Sequence, residues 1–281
     1  MSRLACLFVL VAPFWFCSTL CAAEPHAVFV VGTHHYSPHT VIPGLASVLE
    51  KQGFRTTVIN PPWDPEKDRR GLPGLEALDN ADIGIFFVRF LQLEDVQLNH
   101  ITRFIESGKP IVGLRTSTHA FNFPADHPKH SLNDGFGRDV LGTPYRIHLH
   151  GKTQITKAES ASNHPILEGV NVDEWESSGS LYLTQTHGDI EPILFGTGSP
   201  KKAGKKTNRF GTHELKAKMT APIAWTWKNK FGSRVFNTSL GHVDDFSDPN
   251  SLRVMVNGIS WAAGQPISQD ALKPIHAKDS K

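Results

Sequence analysis

The sequence predicts an α/β fold in which a mainly parallel central sheet carries helices on both faces, as a three-layer sandwich. Apolar runs at 27–31, 83–88 and 110–114 have the composition of strands that are buried on both sides. Segments with helical spacing separate them, and this alternation is typical of βαβ units. Such sheets bind ligands beyond the carboxyl ends of their parallel strands, so we expect the functional residues at that edge.

The remaining elements follow in chain order. Strands are also predicted at 56–59, 152–158, 190–195, 222–227 and 234–239, and helices at 41–51, 94–107 and 249–263. Gly53 and Gly108 stop the first two helices. The helix at 94–107 is expected to bury a face that includes Val96, Ile101, Phe104 and Ile105. A polar and loose tail is predicted for 266–281, after a single domain at 24–265.

Two segments interrupt this pattern. Residues 121–151 hold several prolines and histidines, and a connection of this length is usually functional or covers a site. Residues 196–211 contain Lys201, Lys202, Lys205, Lys206 and Arg209 among glycines and serines. We interpret this second segment as a solvated flexible loop, with a polyanion-binding patch as the alternative.

The first 23 residues have the pattern of a secretory signal peptide. Arg3 precedes an apolar run, and the small residues Ala22 and Ala23 provide a cleavage site before Glu24. The protein is therefore expected to be exported to the periplasm or the extracellular space, with an uncleaved anchor as the alternative. All three cysteines lie in this segment, so a thiolate nucleophile and cysteine-ligated zinc are excluded from the mature chain.

The overall charge indicates no macromolecular partner. A formal net charge of +2 gives no field that would attract nucleic acid or a membrane surface, and we expect no stable membrane insertion. The glycine patterns of dinucleotide- and phosphate-binding loops are missing after the first strand, so no nucleotide cofactor is expected. A homodimer is left open.

Three loops should meet at the carboxyl edge of the sheet, namely 32–39, 115–121 and 241–246. The first carries His34, the second Arg115, and the third His242 with Asp244 two residues later. A carboxylate beside an imidazole fixes its tautomer and raises its basicity, which suits acid–base chemistry.

These loops and their flanking strands resemble the ThuA-like, or trehalose utilisation, family, which has the class I glutamine amidotransferase-like (flavodoxin-like) fold. The resemblance runs from Val28 to about Gly264. It rests on Val31-Gly32-Thr33-His34, Gly113-Leu114-Arg115, Asn163-His164-Pro165-Ile166, Pro222-Ile223-Ala224-Trp225-Thr226, Arg234-Val235-Phe236-Asn237-Thr238-Ser239-Leu240-Gly241-His242 and Asn257-Gly258-Ile259-Ser260-Trp261-Ala262. It implies a role in carbohydrate metabolism, with a sugar or keto-sugar as substrate.

Comparison with glutamine amidotransferases implies one decisive difference. Those enzymes place a catalytic cysteine where this sequence has Arg115, and their catalytic His and Glu would fall on His242 and Asp244. An arginine stays cationic because its pKa lies above about 12, so it cannot act as the nucleophile. Glutamine amidotransfer is therefore predicted to be absent.

We accordingly predict a small-carbohydrate enzyme, a hydrolase or an isomerase, that works by histidine acid–base chemistry. The predicted catalytic residues are His242, Asp244, His34 and His119, and the predicted substrate-binding residues are Arg115, Thr116, Ser117, His35 and Tyr36. In this scheme Arg115 stabilises an enolate or oxyanion that a histidine forms by proton transfer.

Three alternatives remain open. The protein could be a carbohydrate-binding module without catalytic activity. It could be a metal-dependent hydrolase with zinc on His34, His119 and His242, although no cofactor is favoured. Thr116 or Ser117 could also act as a nucleophile with a nearby histidine, but no nucleophile-elbow motif is present.

Overall fold

The computed structural model describes residues 24–68 and 71–277. The predicted signal peptide and its three cysteines lie outside the described residues. Within those two ranges, no helix has both the length and the apolar character needed to cross a bilayer.

The described chain contains four α-helices and thirteen strands. The helices are α1 (Pro38–Glu50), α2 (Asp95–Glu106), α3 (Leu132–Gly135) and α4 (Pro249–Ala262). The strands are β1 (His26–Gly32), β2 (Arg55–Ile59), β3 (Ile83–Val88), β4 (Ile111–Leu114), β5 (Tyr145–His148), β6 (Thr153–Lys157), β7 (Glu176–Ser177), β8 (Tyr182–Thr184), β9 (Glu191–Gly198), β10 (Gly204–Asn208), β11 (Gly211–Leu215), β12 (Met219–Lys228) and β13 (Arg234–Thr238).

Nine of these strands form the central sheet, in the order β2-β1-β3-β4-β13-β12-β9-β6-β7. The first five strands of that order pair in parallel, and β12, β9, β6 and β7 extend the sheet with antiparallel pairs. Two small antiparallel sheets, β5-β8 and β10-β11, stand apart from it. The predicted α/β class is confirmed, and the parallel strands place their carboxyl ends at one edge.

Helices cover both faces of the sheet. The hydrophobic core on one face contains residues of α1 and α4, and the core on the other face contains residues of α2. In α2 the buried side chains are Leu98, Ile101, Phe104 and Ile105, whereas Val96 is 74% exposed. The prediction that Val96 faces the core is wrong, because the buried stripe of this helix begins at Leu98.

Two other segments differ from their predictions. Residues 196–211 do not form a loop throughout, because β9 continues to Gly198 and β10 pairs with β11 as an antiparallel hairpin. The tail, which was predicted to be loose, is in contact with the domain, because Leu272 and Ile275 pack against the core. The Ile275 N–H also donates a hydrogen bond to the Phe246 carbonyl (2.9 Å). Both the hairpin and the packed part of the tail lie in stretches of mainly polar residues, which do not show the apolar patterns used to predict strands and core contacts.

Candidate functional site

Strained backbone marks the carboxyl edge of the parallel strands. Among the described residues, five non-glycine residues have positive φ, and four of them lie in the loops that follow β1, β3 and β4: Tyr36, Ser37, Phe90 and Arg115. Each such conformation costs about 1–3 kcal/mol and persists where the surrounding structure enforces it, often at functional sites. The edge predicted from the sequence is therefore also where the fold holds its least relaxed turns.

Arg115 stands immediately after β4 with φ +47° and is only 2% exposed. Its Nη1–H donates to the Ser239 carbonyl (2.5 Å), and its Nη2–H donates to the Ser180 carbonyl (3.1 Å) and hydroxyl (3.2 Å). The guanidinium thus ties the end of β13 to the segment that leads into β8. This strained strand-to-helix turn has the character of a nucleophile elbow, but it carries a buried cation.

Two tyrosine rings enclose this cation. The Arg115 Cζ lies 4.5 Å from the Tyr36 ring centroid and 4.2 Å from that of Tyr182. The Tyr182 hydroxyl donates a long hydrogen bond to the Tyr36 hydroxyl (3.4 Å). Burial raises the pKa of Tyr182, and the Arg115 cation opposes that shift. Desolvated cation–π contacts of this kind are worth about 2 kcal/mol each, so Arg115 fixes the position of both rings.

The two neighbouring aspartates differ completely in their surroundings. The Asp245 residue is 1% exposed, and its carboxylate accepts hydrogen bonds from the Ser177 hydroxyl (2.6 Å), the Gly241 N–H (2.8 Å) and the His242 N–H (2.9 Å). The Asp244 side chain is 62% exposed, and its carboxylate lies 3.4 Å from the His242 Nδ1. The structure therefore brings the predicted pair His242 and Asp244 together, but at the surface. Their catalytic role stays a prediction.

Burial raises the pKa of the Asp245 carboxyl, while its three hydrogen bonds and the Arg115 cation act in the opposite direction. This carboxylate completes a capping box at the turn that begins with His242. It anchors the loop on which His242 lies. The His242 ring in turn meets the edge of Tyr36, with their centroids 5.6 Å apart.

The two hydroxyl residues after Arg115 bind backbone carbonyls. The Thr116 hydroxyl donates to the Val88 carbonyl (2.9 Å), and the Ser117 hydroxyl donates to the carbonyls of Phe86 (2.7 Å) and Leu114 (3.0 Å). Both residues are fully buried. They brace the turn against β3, and their predicted role in substrate binding is not visible in these contacts.

A pocket of about 560 Å³ opens in front of the tyrosine pair. This volume is within the range of ~300–1,000 Å³ that is usual for small-molecule sites. The residues that line it come from the loops after β1, β3 and β4, from β5 and β8 with their flanks, and from the β10–β11 hairpin: His35, Tyr36, Arg89, Phe90, His119, Tyr145, Ile147, His148, His150, Ser180, Tyr182, Lys206, Asn208, Arg209 and Phe210.

Three of the histidines that line this pocket, His35, His119 and His148, have lowered pKa values. Burial lowers the pKa of His119 well below its ordinary value, assisted by the Arg89 and Arg115 cations. Burial, with a further contribution from His150, lowers the pKa of His148 to about 4. Burial, followed by the Arg89 cation, also lowers the pKa of His35. At neutral pH these imidazoles therefore carry no positive charge, and each has a ring nitrogen that can accept a proton.

A tyrosine–histidine pair forms one wall of the pocket. The Tyr145 hydroxyl lies 2.7 Å from the His148 Nδ1, and either atom can be the donor, depending on the imidazole tautomer. Burial raises the pKa of Tyr145 to about 12, so its hydroxyl keeps its proton. The ring of His119 lies 4.4 Å from the Tyr145 ring, and its Nδ1 is buried without a hydrogen-bond partner among the described residues.

The other predicted residues lie in two different environments. His35 lines the pocket, whereas the His34 ring stacks on His39 with centroids 3.7 Å apart. Nowhere in 24–68 and 71–277 do three or more His, Cys, Asp or Glu residues form a group that could hold a metal ion. The alternative zinc site on His34, His119 and His242 is therefore not assembled in this structure.

Sequence reasoning missed several residues of the pocket. Arg89 and Phe90 directly follow β3, so the rule that selected Arg115 after β4 would also have selected them. Tyr145 and Tyr182 lie on the paired strands β5 and β8, and Arg209 lies at the tip of a hairpin. The sequence suggested Arg209 only as part of the alternative polyanion-binding patch. No local signal connects these last three residues with the sheet edge, because only the tertiary fold brings their segments there.

The fold and the site geometry together define a three-layer α/β protein whose candidate functional residues gather at the carboxyl ends of its parallel strands, around a buried arginine. A family model described as ThuA, trehalose utilisation, matches residues 27–262. The chain belongs to the ThuA family. No curated protein matches the sequence.

Solved structures with the same fold include two ThuA-like proteins. The one from Parabacteroides merdae has a TM-score of 0.57 at 13% identity, over 91% of this chain and 96% of its own. The one from Bacteroides uniformis has a TM-score of 0.54 at 17% identity, over 86% and 93%. A cytoplasmic protein from Salmonella typhimurium has a TM-score of 0.51 at 10% identity, over 84% and 98%. At these identities the likeness extends to the fold alone.

Proposed function

We propose that this ThuA family member is an exported enzyme that acts on a sugar or keto-sugar by histidine acid–base chemistry. The observation that carries the proposal is the pocket in front of Arg115, where neutral imidazoles meet aromatic rings. Tyr145, Tyr182 and Phe90 give the pocket an aromatic lining against which the apolar side of a sugar can pack, and hydroxyl and imidazole groups of the lining can bind sugar hydroxyls. Export rests on the residue pattern at 1–23.

In this proposal, His119 exchanges a proton with the carbon next to the sugar carbonyl. It lines the pocket, it is neutral, and its buried Nδ1 has no partner among the described residues. The Tyr145 hydroxyl, oriented by His148, donates a hydrogen bond to the carbonyl oxygen as negative charge develops there. Arg115 does not line the pocket, and it acts by positioning Tyr36 and Tyr182 and by its positive field.

The predicted pair of His242 and Asp244 offers a competing location for the base. The His242 ring lies 5.6 Å from the ring of Tyr36, which lines the pocket, although His242 itself does not line it. If His119 is the base, its substitution should abolish proton exchange, and if His242 is the base, substitution of His242 should do so. One experiment therefore distinguishes the two locations.

The test is deuterium incorporation next to the carbonyl of keto-glycosides in D₂O, followed by proton NMR. His119→Asn should slow the exchange by at least about a hundredfold, which is the usual contribution of a general base. His276→Asn, at an exposed position outside the pocket, is the matched control and should exchange at the wild-type rate. Thermal melting of each variant establishes that it is folded.

Each other result excludes part of the proposal. Loss of exchange in His242→Asn together with full activity in His119→Asn would move the base to the predicted surface pair. If no keto-glycoside exchanges deuterium while sugars still raise the melting temperature, the protein is a carbohydrate-binding module. Export is refuted if the protein fractionates with the cytoplasm of its native cells, whereas an exported protein that retains residues 1–23 would indicate an uncleaved anchor.

A further inference from the structure

The tip of the β10–β11 hairpin carries a cation to the mouth of the pocket. Asn208 pairs with Gly211, so Arg209 and Phe210 form the two-residue turn between the strands. The Arg209 Cζ lies 4.1 Å from the centroid of the Phe90 ring, on the loop after β3. This segment was expected to be a solvated loop, yet its turn reaches the sheet edge where the catalytic groups lie.

The hairpin is held in that position by its own contacts. The Asn208 side-chain amide donates to the Arg146 carbonyl on β5 (2.9 Å), and its Oδ1 accepts from the Phe210 N–H (2.8 Å). The Phe210 ring meets the Tyr145 ring edge-on, with centroids 5.2 Å apart. These contacts fix the backbone of the turn, so Arg209 is placed at the pocket and is not on a freely moving loop.

The charges around the pocket do not balance. Three cationic side chains line it, Arg89, Lys206 and Arg209, and none of the described residues that line it is acidic. Glu66 forms an ion pair with Arg89 from outside the lining. Arg209 has no hydrogen bond or ion pair within the described ranges, and partial burial together with the Arg89 cation lowers its pKa. The Arg209 guanidinium lies over the rings of Phe90 and Phe210, but its N–H groups have no acceptor among the described residues. An excess of positive charge with such a guanidinium is a site for an anion.

We propose that the pocket binds a sugar that carries an anionic group, a carboxylate or a phosphate, and that Arg209 holds this group with Lys206 beside it. The proposal rests on the proposed function, because it assigns the substrate class of the same pocket. The sugar ring lies against the aromatic wall, and its anionic group points to the hairpin tip. Burial is the main cause of the low pKa of His119, and the cations of Arg89, Arg115 and Arg209 add to it. An anion held by Arg209 offsets part of this cationic contribution, and so raises the basicity of His119 when substrate is present.

The experiment measures dissociation constants by isothermal titration calorimetry for D-glucuronate and for its neutral counterpart, D-glucuronamide. Wild-type protein should bind glucuronate about tenfold more tightly, as expected for one charge-assisted contact. Arg209→Gln should remove that preference, because it should lower the affinity for glucuronate about tenfold more than the affinity for glucuronamide. Lys202→Gln is the matched control, since it removes an exposed cation that precedes the hairpin and does not line the pocket. D-Glucose 6-phosphate in place of glucuronate distinguishes a phosphate from a carboxylate ligand.

Equal affinity for glucuronate and glucuronamide would overturn this inference and leave the proposed function standing, because the neutral sugar still binds. Inorganic phosphate that binds as tightly as either charged sugar would show an anion site without sugar recognition, which also overturns it. A preference for the charged sugars that survives Arg209→Gln would refute the role given to Arg209. Failure of the proposed function is scored separately, by deuterium exchange of keto-glycosides.

Discussion

Replacement of Arg115 by methionine tests whether the buried guanidinium organises the site. Methionine has a similar length and fills much of the same space, but it cannot donate hydrogen bonds to the carbonyls of Ser239 and Ser180. It also removes the cation between the rings of Tyr36 and Tyr182. The strained backbone at this position remains, so no relief of strain offsets these losses.

The structure sets the size of the effect. Removing one member of a buried charged network costs about 3–5 kcal/mol, because its partners are left unpaired. Two orphaned carbonyls at about 1–3 kcal/mol each give a loss of the same size. For a chain of this length, such a loss lowers the melting temperature by about 10 °C. We therefore expect Arg115→Met to be folded but clearly destabilised.

The loss should also depend on pH. Burial raises the pKa of Asp245, and Arg115 opposes that shift. Without the guanidinium that pKa rises further, so the folded protein takes up a proton more readily than the unfolded chain. The stability that Arg115→Met loses relative to the wild type is then smallest below the ordinary carboxyl pKa. It grows as the pH rises through the raised pKa of Asp245 in the variant.

Urea unfolding followed by tryptophan fluorescence, at about pH 5 and about pH 8, measures both effects. Arg253→Met is the matched control, because Arg253 also donates to two carbonyls, those of Ser268 and Asp270, but from a partly exposed position on α4. The free energy of unfolding of Arg253→Met should be about 1 kcal/mol lower than that of the wild type, at both pH values. If Arg115→Met loses no more than Arg253→Met, the guanidinium does not organise the site.

Two further predictions concern the acidic and imidazole groups of the site. Asp245→Asn should lower the free energy of unfolding by about 2–4 kcal/mol in urea titrations, because an amide cannot accept all three hydrogen bonds. The exposed Asp244→Asn should stay within about 0.5 kcal/mol of wild type, and equal losses would contradict the assignment of Asp245 as the buried partner. Because the pKa of His148 falls from 6.5 to about 4 in the fold, its contribution to stability is complete above 6.5 and is lost as the pH falls towards 4. Between these two pH values, the free energy of unfolding of His148→Asn should therefore fall by about 1–2 kcal/mol less than that of the wild type, after allowance for partial exposure. Parallel pH profiles of the two proteins would refute the pKa shift.

The strands of the parallel sheet were predictable because burial on both faces leaves a direct trace in composition. The apolar run at 83–88 has the same limits as β3. The β10–β11 hairpin left no such trace, since its residues are polar on both faces and its strands pair only with each other. Its turn alone carries a signal, the Asn208 and Gly211 that flank Arg209 and Phe210.

The site was predictable at the level of its edge but not of its side chains. The sequence could place Asp244 and Asp245 on one loop, but it could not show which of the two faces inward, because that depends on the short helical turn begun by His242. It selected Arg115 as a group that binds substrate, and the structure buries that guanidinium against the Ser239 carbonyl and two rings. The pocket also takes its lining from β5, β8 and the β10–β11 hairpin, which are distant in sequence from the loops after β1, β3 and β4.

A cation at the end of β4 affects the charge of two histidines of the pocket, His35 and His119. The Arg115 field, together with Arg89, adds to burial in disfavouring a second positive charge, so the imidazoles of His35 and His119 stay neutral. A neutral imidazole whose pKa is far below neutrality is a poor general base. The arrangement becomes chemically useful only when a bound group supplies negative charge, either as an anion on the substrate or as an enolate formed during proton transfer. The buried arginine therefore links ligand binding to basicity, and the pocket should be most reactive towards substrates that bring their own charge.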